Sequence, residues 1–245
     1  MKQIIKNLLP VRMLQALRDF KAYHLDSYSL KSYSQEGEDM ILRRLFDRQK
    51  TGFYVDVGAH HPFRFSNTYY FYKLGWKGIN IDAMPGSMAS FRRFRARDIN
   101  LETAISNNGE TLTYYVFNEP ALNSFSRELS KERQIGNNNY FIERETRLET
   151  FKLAEVLDRY LPANTRIEFL SIDVEGLDLE VLKSNDWDRY RPKVILVEIL
   201  GSSWSDIESN EIALLLRRYD YVVFGKAFYT VLFIQKQYSE SIYQK

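Results

Sequence analysis

Cysteine is absent from the chain, and with it go disulfides, thiolate nucleophiles and cysteine-ligated metals. The absence fits a reducing, cytoplasmic compartment. Long apolar runs are missing too: Ile4, Ile5, Leu8 and Leu9 follow a basic start, but Pro10 and Arg12 interrupt them short of a signal sequence or a membrane span. No transmembrane segment is expected. An excess of one charge is also lacking, since 34 basic residues face 32 acidic ones for a net charge of +2. That balance calls for neither nucleic acid nor an anionic membrane as partner. Glycine is scarce, 11 residues in all, and the three-glycine turn that meets a pyrophosphate through its backbone is not built.

What is present is an alternation of strands and helices over 245 residues, enough for one α/β domain with a full core and too little for two ordinary domains. Residues 1–31 read as a helical extension, in which Ile5, Leu9, Met13, Leu17 and Phe20 recur at roughly helical spacing among Lys2, Lys6, Arg12, Arg18 and Lys21. Such a helix packs on the domain or on a second copy of the chain, or lies on a membrane surface. Residues 32–245 form the domain proper.

The domain is organised about Phe53-Tyr54-Val55-Asp56-Val57-Gly58-Ala59-His60-His61-Pro62, a short buried strand running into a tight polar turn. Phe53, Val55 and Val57 are strand formers, and Gly58 permits a backbone that a side chain would obstruct. In open α/β sheets, ligands bind at this end of the strands. Asp56 repels a pyrophosphate but suits an ammonium or a sulfonium. S-adenosylmethionine carries both and has no phosphate. Gly78 to Asp82 is a second strand closing on a carboxylate, where Asp82 accepts hydrogen bonds from ribose hydroxyls or caps the helix near Gly86. The strands ending at Asp173 and Glu198 close the same way. Four acids, Asp56, Asp82, Asp173 and Glu198, are therefore expected at one rim, which is costly unless cations or donors lie between them.

The remaining stretches are placed around that rim. Tyr33 to Asp39 leads into a helix, and Gln35 and Glu38 either favour its first turn or reach the methionyl end of a cofactor. Ser66-Asn67-Thr68 opens an aromatic helix, Tyr69 to Leu74, stopped by Gly75 and aimed at the site. A basic helix from Gly86 to Arg97 presents Arg92, Arg93, Arg95 and Arg97 as a solvated face. A third strand covers Ile99 to Ile105, and an alternating one covers Thr111 to Phe117. Glu119 to Arg147 shows no regular pattern, and Arg127, Arg133, Arg144 and Arg147, interleaved with Asn123 and Tyr140, suit a hydroxylated or anionic acceptor. A helix from Ile207 to Tyr219 precedes strands Tyr221 to Phe224 and Tyr229 to Gln235, joined by a turn at Gly225-Lys226 and therefore antiparallel. The expected fold class is α/β, Rossmann-like, with a mostly parallel sheet and helices on both faces.

Seven pieces in order, Tyr33-Ser34-Gln35-Glu36-Gly37-Glu38-Asp39, Val55-Asp56-Val57-Gly58-Ala59-His60, Ser66-Asn67-Thr68, Gly75-Trp76-Lys77-Gly78, Ile81-Asp82, Ile172-Asp173-Val174-Glu175-Gly176 and Val197-Glu198, resemble the FkbM-type S-adenosylmethionine-dependent methyltransferases. Any one piece is weak, and the ordered set is specific. The resemblance implies the class I methyltransferase fold, S-adenosylmethionine as cofactor, methyl transfer to oxygen, and acceptors that are often sugars or glycosylated metabolites. It puts Asp56, Gly58 and Asp82 at the cofactor and the motif from Asp173 to Gly176 beside the reacting methyl. Gln35, Glu38, Ala59, Ser66, Asn67, Thr68, Ala83 and Ala104 complete the expected cofactor contacts.

The candidate bases are His60, His61 and Asp173, with His60 ahead because imidazole titrates near neutrality. Paired histidines in a turn equally serve as hydrogen-bonding or surface residues. Asp173 and Glu198, with Glu175, form an oxygen set for Mg2+ or Mn2+ that would polarise an acceptor hydroxyl, or they accept hydrogen bonds from substrate. Trp204 lies where a flat aromatic supports a sugar ring, or it packs in an interface. Two other classes stay open: a catalytically silent adenosylmethionine-binding or scaffold protein, and a nicotinamide-dependent oxidoreductase, which the missing glycine turn disfavours.

Overall fold

Phe53–Val57 (β1) is buried at every position, as an unbroken run of apolar and β-branched residues requires when both faces of a strand are covered. The computed structural model describes residues 10–24, 28–136, 139–201 and 203–243. The chain divides into two compact units, Met1–Ser32 and Tyr33–Lys245. In the first, Val11–His24 (α1) is a helix with no buried residue; the expected helical positions through Leu9 lie outside the described residues.

The second unit is built on a seven-stranded sheet. Lys77–Asp82 (β2) and Ile99–Glu102 (β3) lie on one side of β1, and Phe169–Ile172 (β7), Val194–Glu198 (β8), Thr230–Gln235 (β10) and Tyr221–Ala227 (β9) on the other, in the order β3-β2-β1-β7-β8-β10-β9. The strands are parallel except β10, which runs antiparallel to both its neighbours. The order reverses between β1 and β7, the switch point where such sheets open a crevice. Helices cover the two faces. Leu153–Tyr160 (α6), Asp178–Lys183 (α7) and Glu211–Arg217 (α9) pack on the cluster containing Val55, Val57, Ile172 and Val197. Glu38–Leu45 (α2) and Tyr69–Lys73 (α3) pack on the cluster of Tyr54, Phe169 and Leu232.

A smaller sheet stands over the carboxyl ends, with Ala104–Ile105 (β4), Ile142–Phe151 (β6) and Thr111–Phe117 (β5) in that order. Here the structure departs from expectation. The third strand breaks at Thr103 and its last two residues join the smaller sheet. The described residues of 119–147 include a 3-10 turn at Pro120–Leu122, the helix Arg127–Gly136 (α5) and the start of β6. The helix expected over Ile207 to Tyr219 is two, Trp204–Ile207 (α8) and α9. Strand β9 runs through Gly225 and Lys226, so the turn falls at Phe228-Tyr229. Met88–Phe94 (α4) does not carry a wholly solvated basic face, because Arg95 at its end is completely buried. A final helix, Lys236–Tyr243 (α10), had no counterpart in the sequence reading.

Candidate active site

The sheet register sets the site. Val57 pairs with Ile81 and Ile172, and Ile172 pairs with Val197. The next residue on each strand, Gly58, Asp82, Asp173 and Glu198, therefore stands in one row across four carboxyl ends. Neighbouring strands are about 4.8 Å apart, so Asp173 and Glu198 are adjacent while Gly58 separates Asp82 from Asp173. Gly58 has φ +84°, and a Cβ there would fall 1.7 Å from the Asp173 carbonyl oxygen. No side chain fits that position, and the turn passes directly over β7.

A cavity of about 170 Å³ opens above the row. At one end Asp82, Ala83 and Met84 meet Thr103 and Ile105; Leu122, Asn123 and Phe125 roof it; and Gln35, Asp173, Glu175 and Glu198 line the other end. Asp82 accepts backbone hydrogen bonds from His60 and Met84, both at 2.8 Å, has the Ser87 hydroxyl beside it, and as a two-oxygen acceptor has capacity for further donors. Burial raises its pKa.

At the opposite end the carboxylate oxygens of Asp173, Glu175 and Glu198 lie within 4.8 Å of one another. Desolvation by the surrounding protein raises all three, and the neighbouring carboxylates raise Asp173 and Glu198 further: Asp173 stands well above its ordinary value and Glu198 at about 8, although Asp173 keeps an exposed surface and the two glutamates are only half-buried. Among the described residues, the ion pair this group makes is Glu175 with Arg133 of α5. Glu175 has φ +52°, and its carbonyl accepts from Ser124 Oγ. The turn after β7 is thus fastened to the inserted segment from both backbone and side chain.

Of the expected site residues, Gln35, Gly58, His60, Asp82, Ala83, Asp173, Glu175 and Glu198 are brought to this cavity. The others lie elsewhere. Asp56 is two residues short of the row, about 6.6 Å back along the strand, so its side chain lies in the layer beneath the turn. There it accepts from Thr68 Oγ1 at 3.0 Å, and burial raises its pKa to about 6. Ser66 bonds Thr68 and the Tyr69 amide, and Asn67 donates to Ser171 Oγ. Glu38 is buried and accepts from Glu36 N and Thr230 Oγ1. The Ala59 amide donates to Ile81 O, and Ala104 pairs with Thr150 in the smaller sheet.

His61 Nδ1 accepts from the Phe63 and Arg64 amides, which makes it the pin of its own turn. His60 Nε2 is buried without a partner; its pKa is lowered, first by burial and then by Arg64. Arg127 is exposed on α5, Tyr140 is half-buried, and Trp204 is 61% exposed at the start of α8; none of the three lines the cavity. Asn123, expected in the acceptor region, lines the cavity, and lining residues not anticipated are Met84, Tyr114, Leu122 and Phe125. The alternation of Thr111 to Phe117 was visible in the sequence, but the pairing that folds it over the crevice was not.

Residues 56–223 match the family model of the methyltransferase FkbM domain. The match spans more than half of the chain, and the chain belongs to that family. No curated protein matches it. Among solved structures it is similar to a TehB-like SAM-dependent methyltransferase from Corynebacterium glutamicum ATCC 13032 Kitasato. The two are 12% identical, covering 92% of this chain and 97% of that one, with a TM-score of 0.39. Family membership makes the chain a methyltransferase, with S-adenosylmethionine the donor that the family implies.

Proposed function

We propose that the chain transfers a methyl group from S-adenosylmethionine to a hydroxyl of a small molecule, most consistently a sugar or a glycosylated metabolite. The observation that carries the donor half is the row itself, in which one nucleoside-side acid, Asp82, is separated by Gly58 from three clustered carboxylates with a single bonded cation. Crowding that much negative charge into a half-buried crevice is unfavourable unless a positive ligand offsets it. Bound there, S-adenosylmethionine supplies the cationic ammonium and an electrophilic methyl on sulfonium.

The residues fit that group along its length. Asp82 has acceptor capacity for ribose hydroxyls, and Ile105, Met84, Leu122 and Phe125 supply apolar surface for a base. Asp173, Glu175 and Glu198 supply the charge for the methionyl end. Asp173 is the favoured base, because it adjoins Glu198 at the far end of the row from Asp82 and desolvation raises its proton affinity. His60 is tied through its backbone to Asp82, which supports a nucleoside-side role for it. Alignment of acceptor and methyl contributes more than proton removal, up to about 7 to 11 kcal/mol for well-oriented groups.

The spacing of Asp173, Glu175 and Glu198 supports a second reading, oxygen ligands for Mg2+ or Mn2+. Chelation separates the two: turnover that survives EDTA assigns the carboxylates to donor and acceptor, and turnover restored only by added metal assigns them to an ion. No described helix is long and apolar enough to cross a membrane, which is compatible with a cytoplasmic setting. The test of the proposal is incubation with methyl-labelled adenosylmethionine and a cell extract separated into lipid, polysaccharide, nucleotide-sugar and protein fractions. Alkali-stable label in a carbohydrate fraction supports the proposal, and label confined to protein overturns it.

A further inference from the structure

The basic helix α4 ends in a residue that the donor site does not touch. Arg95 is fully buried, and its guanidinium is spent in a definite direction. Nε donates to Asp98 at 2.9 Å, Nη1 donates to the Pro62 carbonyl at 2.9 Å, and Nη2 donates to Tyr54 Oη at 2.8 Å and to Thr68 Oγ1 at 3.0 Å. Asp98 is held in turn by Tyr54 Oη, the Gly78 amide and Asn80 Nδ2. The anchor is therefore fixed to β1 and β2, while two of its arms reach a loop.

That loop is Pro62 to Thr68, and Arg95 grips it at both ends. Between the grips lies Phe65, which lines the cavity in a left-handed conformation, φ +54°, costly for a bulky side chain. Two residues before the first grip is His60, also left-handed at φ +52°, its ring stacked near that of Phe65 with centroids 6.2 Å apart. Arg64, between the grips, reaches Glu119 at 3.4 Å, the residue before Pro120 of the cavity lining. Two strained residues in one short excursion persist only where the surroundings over-determine them. Asn67 and Thr68 also tie the end of the excursion to the sheet, at Ser171 and Asp56; the guanidinium alone holds both ends, through a planar fork that fixes angle as well as distance.

We infer that Arg95 is a positioning residue for the donor pocket: by holding the Pro62 carbonyl and Thr68 hydroxyl from behind, it sets the loop that carries Phe65 into the cavity and against the His60 ring. This rests on the reading of the cavity as the adenosylmethionine site. Arg95 touches neither cofactor nor acceptor in this account, and its effect passes through the backbone of the loop.

The test is Arg95→Lys, which keeps the buried charge and gives up the fork, with Thr68→Val as a second variant that removes one gripped hydroxyl and leaves Arg95 in place. Adenosylhomocysteine is titrated into wild type and both variants by calorimetry, and amide hydrogen exchange is followed along the chain. Arg95→Lys is expected to weaken adenosylhomocysteine roughly tenfold or more, with faster exchange concentrated in residues 60–66 and a raised KM for adenosylmethionine at little-changed kcat. Thr68→Val shifts both readouts the same way by less. A lowered Tm with wild-type affinity and unchanged exchange in 60–66 overturns the inference, making Arg95 a core residue only. If Arg95→Lys does not fold, unaltered affinity in Thr68→Val overturns it. Failure of the wild type to bind adenosylhomocysteine refutes the donor reading instead, a separate outcome.

Discussion

Glu198 shows how much a single side chain can report about the site. Burial first, and the Glu175 and Asp178 carboxylates next, raise it to about 8 from 4.5, so the folded chain retains a proton that the unfolded chain releases near pH 4.5. Its contribution to stability is full below that pH and is lost as pH rises through about 8. Asp173 and Asp178 are shifted in the same direction. Tm measured without ligand should therefore fall between pH 5 and 8.5, and Glu198→Gln should flatten the fall; a Tm that climbs over this range contradicts the assignment. Gly58 makes the complementary case. Alanine there combines a left-handed backbone with a Cβ 1.7 Å from the Asp173 carbonyl, so Gly58→Ala should cost more than about 1 kcal/mol and lower affinity for adenosylhomocysteine. Unchanged melting and binding would show the turn to be less constrained than the structure has it. Gly58, Asp82, Asp173 and Glu198 were legible as residues at strand ends. Asp56 was grouped with them because apolar flanks mark a strand without saying which residue is its last; the register alone puts Asp56 one layer down.

Among the elements, the contrast between β1 and β6 explains what could be read. Strands β1, β2, β7 and β8 are runs of mostly buried apolar residues, three of them closed by an acid and β1 by Gly58, and such runs stand out in a sequence. β6 carries Glu143, Arg144, Glu145, Arg147 and Glu149 and is mostly exposed; what makes it a strand is its backbone pairing with β5, and pairing leaves no compositional mark. The same blindness hid α5, whose Arg133 proved to be the arginine of its stretch that meets the site. Burial of Arg95 was hidden for a related reason: a run of four arginines reads as solvated face, and the partners that bury one of them, Tyr54, Asp98 and Thr68, are scattered along the sequence. Breaking such a buried pair by removing one partner costs about 3 to 5 kcal/mol. Arg133 offers the test at this scale. Arg133→Met removes the cation that competes for Glu175 and keeps the stem, so preference for adenosylmethionine over adenosylhomocysteine should rise roughly fivefold. An unaltered ratio would mean that Glu175 does not face the sulfonium end.

The molecule as a whole is a sheet whose switch point, acids and overlying small sheet converge on one crevice. Its order, five parallel strands followed by an antiparallel pair, was predictable from the alternation of elements and the short connection between the last two strands. The roof over the crevice was not, because it depends on β4 leaving the main sheet at Thr103 to pair with β6. A ligand that binds only the folded chain stabilises it by mass action, about 2.7 kcal/mol at one hundred times its Kd. Thermal shift is thus a whole-molecule readout of donor binding. The measurement that bears most directly on the central claim is calorimetric titration of adenosylhomocysteine into the wild type and into Asp82→Ala. The account predicts saturable one-to-one binding to the wild type, weakened tenfold or more in the variant; no binding to the wild type, or equal affinity in both, would contradict it.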